Sequence, residues 1–218
     1  MPIQTEIVVN ADTLVIAVTG FKNKLSLKIP DFFESANLVK TSKIIVSDPT
    51  RRKTLYGLPP EFPCFFDVIN YLQERISSLQ PKKVITTGTS AGGHTALLLG
   101  HLLKVDKAVA FAPYPYLSLK EARKRQDPIK KSIRRFTQQL DEFPDAVKPY
   151  LDLRPHLSKW NGKTEYNIHV SRGREWDYRR ANYLRGCPHV SIIDHPFDTH
   201  GVAKELAQLN QLSQCFAH

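Results

Sequence analysis

The chain has 218 residues, of which 41% are hydrophobic and 24% are charged. This length suits one hydrophobic core with a small insertion, and no apolar run approaches the roughly 18 residues that a membrane span needs. We therefore expect a soluble, single-domain globular protein over 1–218. The first residues, MPIQTEIVVN, lack the basic region and the continuous apolar stretch of a secretory signal, so we expect no export.

Cysteine content and net charge bear on the kind of site and partner that the protein can have. Cys64, Cys187 and Cys215 are odd in number and lack CxxC spacing, which argues against a disulfide framework and a zinc site. We expect a cytoplasmic protein with neither metal nor cofactor. The net charge of +10 suggests an anionic partner, and 120–135 carry eight Lys and Arg against two acids. No nucleic-acid motif accompanies this run, so no nucleic-acid partner is expected.

The predicted elements alternate between strands and helices. Helical patterns cover 65–79, 91–103, 177–184 and 201–213, and most of the later strands are almost continuously apolar, as strands buried on both faces are. Alternation of this kind predicts a mostly parallel sheet of about seven strands with helices on both faces. The predicted strands are EIVVN at 6–10, LVIAV at 14–18, KIIVS at 43–47, KVITT at 83–87, KAVAFA at 107–112, YNIHVS at 166–171 and VSIID at 190–194.

Residues 113–160, named the insertion below, interrupt this alternation because they exceed the length of one crossover helix. Within the insertion, Asp127-Pro128 reads as a helix N-cap followed by proline at the first helical position. The following residues predict an amphipathic helix that could form a cap over a site. Its apolar stripe comprises Ile129, Ile133, Phe136, Leu140 and Phe143, and Lys130, Lys131, Arg134 and Arg135 fall mainly on the other side.

The chemistry centres on Gly88-Thr89-Ser90-Ala91-Gly92, which lies between an apolar strand and an apolar helix. A serine at a sharp strand-to-helix turn needs small residues two before and two after it so that the backbones can pass. Its hydroxyl then lies at a helix N-terminus, where developing negative charge is favoured. The alternative is a glycine-rich turn in which Ser90 only caps the helix. A phosphate-binding P-loop is a poor rival, because no Gly-Lys-Ser/Thr follows the glycines.

A nucleophilic serine requires a histidine base that a carboxylate orients. After an elbow of this kind the acid and then the histidine follow later strands. His200 opens the final helix after VSIID and is the favoured base over His195, which lies at the strand end. In the loop after YNIHVS, Asp177 is the favoured acid; Glu175 is its rival, and Asp177 could also be a plain helix N-cap.

The remaining site residues concern the oxyanion and the substrate. The N–H of Ala91 should donate to the oxyanion, and the second donor should be Phe21 or Gly20, after the LVIAV strand. Possible substrate-binding residues are Gly20, Arg51 and Arg52 after KIIVS, and Tyr114 and Tyr116 in the aromatic-proline stretch after KAVAFA. His94 could face the site but reads more simply as a buried structural histidine.

The serine elbow, the acidic loop at 173–177 and His200-Gly201 before the last helix make the chain resemble the α/β-hydrolase superfamily over roughly 14–212. The resemblance implies a three-layer α/β-hydrolase fold and serine chemistry on an ester, thioester or amide. It departs from the larger members, since no HGGG-type oxyanion motif is present. We predict a serine esterase or thioesterase that forms an acyl-enzyme on Ser90. The alternatives are an acyltransferase or thioesterase acting on an anionic, carrier-linked acyl group, and a non-catalytic binding protein of this fold.

Overall fold

The structure is a computed structural model and describes residues 1–20, 23–50, 52, 54–128 and 143–217. Within these ranges seven strands form one sheet in the order β1-β3-β2-β4-β5-β6-β7, and every neighbouring pair is parallel except β1 and β3. The strands are β1 Ile3–Glu6, β2 Thr13–Val18, β3 Ser42–Val46, β4 Lys83–Thr89, β5 Lys107–Phe111, β6 Glu165–Ser171 and β7 Val190–His195. The predicted mostly parallel sheet of about seven strands is confirmed.

Helices cover both faces of this sheet. They are α1 Ile29–Ser35, α2 Phe65–Leu79, α3 Ala91–Leu102, α4 Leu119–Lys124, α5 Arg154–Leu157, α6 Glu175–Asn182 and α7 Val202–Gln208, with 3₁₀ segments at Asp145–Leu151 and Leu212–Phe216. None of the helices in the described ranges is long and apolar enough to cross a membrane.

The three layers follow from the period-two alternation of buried strands. In β2, Leu14, Ile16 and Val18 pack on the face that α2, α3 and α6 cover, whereas Val15 and Ala17 pack against α1, α7 and the C-terminal 3₁₀ segment. Because both faces are covered, the strand reads as an uninterrupted apolar run. The carboxyl ends of β2 to β7 therefore meet at one edge, which positions the site.

Three sequence predictions need correction at element ends. The first strand is Ile3–Glu6 rather than 6–10, because Asn10 adopts a left-handed φ of 60° in a turn and the Val8 N–H donates to the Ser42 hydroxyl. The last helix ends at Gln208, with a break at Asn210 (φ 57°) before the 3₁₀ segment. The helix predicted over 177–184 covers Glu175–Asn182, and α1 was not predicted.

The insertion connects β5 to β6, which are neighbours in the sheet. It includes α4, the 3₁₀ segment at Asp145–Leu151 and α5, and its two ends pair through the Leu117 N–H to Leu151 O and the Leu153 N–H to Pro115 O. Residues 129–142 of the predicted amphipathic helix lie outside the described residues. Phe143, the last residue of its predicted apolar stripe, is buried and packs edge-on against Tyr56.

Candidate active site

Ser90 lies at a strained turn between β4 and α3. Its backbone adopts φ 55° and ψ −117°, and its N–H donates to Phe111 O at 2.8 Å. A Cβ added at Gly88 would lie 2.4 Å from Gly92 O, and one at Gly92 would lie 2.3 Å from Val18 O. Only glycine fits at these two positions, since such distances are far inside van der Waals contact. The turn is therefore built as the sequence pattern predicts for a serine presented above the sheet.

The N-terminus of α3 offers a backbone donor beside Ser90. Ala91 is the first residue of the helix, so its N–H has no partner within α3, and no other described residue accepts it. Gly20 differs, because its N–H donates to Lys24 O at 3.0 Å. That bond removes Gly20 as the second oxyanion donor in this structure, while Phe21 lies outside the described residues.

Asp177 and His200 form a close pair at the carboxyl edge of the sheet. The His200 Nδ1–H donates to Asp177 Oδ2 at 2.7 Å; the carboxylate is buried and the imidazole side chain is 31% exposed. Helix α6 begins at Glu175 with Arg174 as its N-cap, so Asp177 lies inside the first turn and is not the N-cap. Glu175 instead pairs with Arg179 on the exposed face of the helix. Of the two candidate acids, Asp177 is the one that contacts His200.

The loop that carries His200 is fixed to the end of β6. The Ser171 hydroxyl donates to Thr199 O at 2.6 Å, and the Gly173 N–H donates to Phe197 O at 2.9 Å. A side chain at Gly173 would clash with the same carbonyl, at 2.7 Å. These contacts bring His200, which follows β7, next to α6, which follows the neighbouring strand β6.

His195, the rival base, lies in a different cluster. Its Nε2 is 3.1 Å from Nδ1 of the buried His169, on the α7 side of the sheet. Burial lowers the pKa of His195, and it lowers that of His169 to about 3. This pair has no carboxylate contact comparable to that of His200 among the described residues.

Tyr114 joins Ser90 to His200. Its N–H donates to Ser90 O at 3.3 Å, its buried ring lies 6.1 Å from the His200 ring, and its phenol lies beside the Ser90 side chain. Burial is the main reason that the pKa of Tyr114 is raised, so the phenol stays protonated. No hydrogen bond joins Ser90 Oγ to His200 in the described structure.

A buried ion network that the sequence did not predict supports Asp177. Arg180, on the next turn of α6, donates from Nη1 to Asp177 Oδ1 at 3.2 Å and forks onto Asp127, from Nε at 2.7 Å and from Nη2 at 2.5 Å. The Tyr116 hydroxyl donates to Asp127 at 2.9 Å. The Tyr116 hydroxyl therefore belongs to this network, and a substrate contact of Tyr116 stays a prediction. Sequence spacing gave no signal for the pairing, because Asp127 and Arg180 are 53 residues apart.

Two other residues that the sequence singled out, Arg52 and His94, contact other parts of the protein. Arg52 lies with its guanidinium 4.4 Å from the Tyr56 ring, and the Asp48 carboxylate organises this loop by accepting the Thr54 N–H at 2.8 Å. Arg51 lies outside the described residues. His94 is fully buried, with its ring nitrogens 2.7 Å from Tyr114 O and 2.9 Å from Tyr150 O, so it bridges backbone carbonyls.

A pocket of about 500 Å³ adjoins the acid loop. It lies between Pro128 of the insertion and the first turns of α6, where Arg174, Trp176 and Arg180 line it. In the described part of the chain, no group of three histidine, cysteine or acidic side chains could hold a metal ion.

The sheet order and the strand-turn-helix at Ser90 are those of the α/β-hydrolase fold, and solved structures of that fold match the chain. A hormone-sensitive lipase from a metagenome library has a TM-score of 0.65 at 13% identity, covering 97% of this chain and 79% of its own. An α/β-hydrolase enzyme from the metagenome of lagoon sediments at Mar Chica, Morocco, has a TM-score of 0.61 at 17% identity, covering 98% and 93%. Carboxyl esterase 2 of the fungus Tuber melanosporum has a TM-score of 0.58 at 15% identity, covering 100% and 88%.

At these identities the matches establish the fold. No protein-family profile matches the sequence. Comparison with curated proteins finds no match either. The fold that the elbow and the two loops predicted is confirmed.

Proposed function

We propose that the protein is a serine hydrolase that cleaves an ester or thioester through an acyl-enzyme on Ser90. The observation that carries the proposal is the strained elbow at Ser90, on the same sheet edge as a histidine that donates to a buried carboxylate at 2.7 Å. A serine that only capped its helix would not need φ 55° between two glycines that tolerate no side chain.

The proposed mechanism assigns one step to each group. Asp177 accepts the Nδ1–H of His200, which leaves Nε2 as the proton acceptor. His200 takes the Ser90 proton while Oγ attacks the acyl carbon, then returns that proton to the leaving oxygen or sulfur. Water deacylates Ser90 by the same route, and the Ala91 N–H donates to the oxyanion in both steps.

The Ser90–His200 contact forms, in this proposal, when a substrate orders the site. Catalytic hydrogen bonds are often long in structures without substrate and tighten in the reacting complex. The Tyr114 phenol lies beside the Ser90 side chain and its ring lies 6.1 Å from the His200 ring, so it would hold the Ser90 hydroxyl near the imidazole. We keep Phe21 as the second oxyanion donor, because the Gly20 N–H is engaged by Lys24.

The structural neighbours favour ester chemistry, since their names include a carboxyl esterase and a lipase. We expect a small-molecule or carrier-linked acyl substrate. An anionic substrate stays a prediction, and its support is the net charge of +10 together with Arg52 after β3 and Arg174 at the pocket beside the acid. A cytoplasmic location likewise stays a prediction from the sequence, as does the assignment of 113–160 as a cap within one domain.

The test is covalent labelling with a fluorophosphonate probe, read by intact mass and by mapping the labelled peptide. The native protein should gain one adduct at Ser90, and Ser90→Ala should gain none. A panel of short aryl esters and acyl thioesters, neutral and anionic, then defines the substrate class from kcat/KM. A folded native protein that neither labels nor turns over any member would refute the enzyme and favour a binding protein.

Acyl transfer is separated from hydrolysis in the same panel. Adding a small alcohol or amine acceptor diverts the acyl-enzyme only if that acceptor outcompetes water at the site. A rate of acyl release that rises with acceptor while free acid falls would indicate a transferase. An unchanged yield of free acid supports the hydrolase.

A further inference from the structure

The buried network behind Asp177 places the positive charge of Arg180 next to the carboxylate that contacts His200. The side chains of Asp127, Asp177 and Arg180 are each at most 4% exposed, so water screens their charges weakly. Arg180 donates to the same carboxylate that must stabilise a protonated His200. Alone, this cation would cancel the negative charge on which the histidine depends.

Asp127 offsets that cation. Its carboxylate takes two of the Arg180 N–H bonds in a forked geometry, at 2.7 and 2.5 Å, and also accepts the Tyr116 hydroxyl. Counted over the three ions, two carboxylates and one guanidinium give a net charge of −1. Without Asp127 the count would be zero, and the Asp177–Arg180 pair would face His200 as a neutral group.

We propose that Asp127, in the insertion, is a positioning residue that neutralises Arg180 so that Asp177 presents a full negative charge to His200. The inference rests on the proposed function of His200 as the base. It also assigns the insertion a second task, since a residue 50 positions before the acid sets the charge around it. Asp127 touches neither Ser90 nor His200 by any described hydrogen bond, so its effect passes through Arg180 and Asp177.

The surrounding charged and titratable groups are few in the described structure. Asp177 from α6, the Tyr114 ring and the turn at Ser90 lie around His200. Around Arg180 lie the two carboxylates and the Tyr114 ring, whose centre is 4.9 Å from the guanidinium carbon. Arg125 lies next to the Tyr116 ring, at 5.8 Å. Asp127 is therefore the nearest described anion that can balance Arg180 besides the acid itself.

The experiment measures the pKa of His200 by NMR titration of ¹³C-labelled histidine, with His200→Ala for assignment. The variants are Asp127→Asn, Arg180→Gln and the double variant. Fewer negative charges should lower the pKa of His200, by about half to one unit per charge. The pKa of His200 should be below the native value in Asp127→Asn, close to it in the double variant and above it in Arg180→Gln.

A matched control is Glu175→Gln, which removes a carboxylate from the first turn of α6 whose side chain is 64% exposed. Solvent screens that charge, so the pKa of His200 should move by less than about 0.2 units. If Asp127→Asn does not fold, the comparison of Arg180→Gln with the double variant isolates the same charge. Equal pKa values of His200 in that pair, or in Asp127→Asn and native protein, would overturn the proposal.

The titration needs no turnover, which keeps the two proposals distinguishable. If the pKa of His200 shifts across the variants but fluorophosphonate does not label the native protein, the proposed hydrolase is refuted while the proposed role of Asp127 is retained. In an active enzyme the low-pH limb of kcat/KM should move with the pKa of His200 across the series. A purely structural role would lower activity or stability without moving that limb.

Discussion

Two histidine clusters on the β6–β7 half of the sheet differ in the charge state that they stabilise. At the carboxyl edge, His200 is partly exposed and donates to the buried Asp177. On the α7 face, His169 is buried against His195, and burial lowers its pKa to about 3. The first cluster places a carboxylate against its histidine, whereas burial in the second disfavours the charged form of its histidines.

The comparison shows which surroundings suit a histidine to the proposed role of base. His195 is the last residue of β7, and His200 follows it by five residues. What separates them is the partner, because the loop bends back through the Ser171 and Gly173 contacts and delivers only His200 to a carboxylate. A base needs its charged form stabilised, and burial without a counter-charge does the reverse.

The largest expected effect comes from removing the histidine of each cluster in turn. His200→Ala should lower kcat on the best ester by roughly 10⁴- to 10⁶-fold, because Ser90 loses its proton acceptor. His195→Ala should stay within about fivefold of native, since it changes only the cluster on the other face. Steady-state kinetics with matched folding checks measures both. The comparison fails if His195→Ala is the more damaging variant.

Substitutions of the carboxylates of α6 should have a smaller effect on kcat. Asp177→Asn should lower kcat by roughly 10³- to 10⁴-fold, because an amide no longer fixes the Nδ1–H tautomer of His200 or stabilises its cation. Glu175→Gln, two residues earlier and paired with Arg179 on the surface, should leave kcat within about twofold. A large loss in Glu175→Gln with an active Asp177→Asn would reverse the assignment of the acid.

Much of the edge that carries the site was predictable because local patterns define it. Continuous apolar runs such as Leu14–Val18 reveal strands buried on both faces, and the glycines two before and two after Ser90 form a local pattern, although the contact that requires Gly92 is with Val18 O on β2. The strand order places the loops after β6 and β7 next to each other, at the same edge of the sheet as the elbow. His200 and Asp177 could thus be selected by their position after a strand, and the 2.7 Å contact agrees with that selection.

The network behind the acid could not be predicted, because it depends on contacts between distant segments. Asp127 has the local sequence of a helix N-cap, and nothing in the sequence around Arg180 marks it as a partner of Asp127. Only the packing of the insertion onto α6 buries both and brings them to 2.5 Å. The edge strand was misplaced for a related reason, since EIVVN is strand-like in sequence, but the sheet pairs Ile3–Glu6 instead.

The smallest effect tests the neutral cluster through stability. His169 has a pKa of about 3 in the folded protein against 6.5 in the unfolded chain, so below pH 6.5 the unfolded state binds a proton that the folded state does not. As the pH is lowered from about 6.5 to about 3, the free energy of unfolding should therefore decrease, by up to about 1.4 kcal/mol per pH unit from this group.

Urea unfolding at pH 7 and 5.5 measures this decrease. Between these two pH values, the loss of unfolding free energy should be roughly 1 kcal/mol larger in native protein than in His169→Asn. His189→Asn, which removes an exposed histidine, is the control and should retain the native pH dependence. An equal loss in native protein and His169→Asn would mean that His169 is not held neutral, and the contrast between the two clusters would then rest on Asp177 alone.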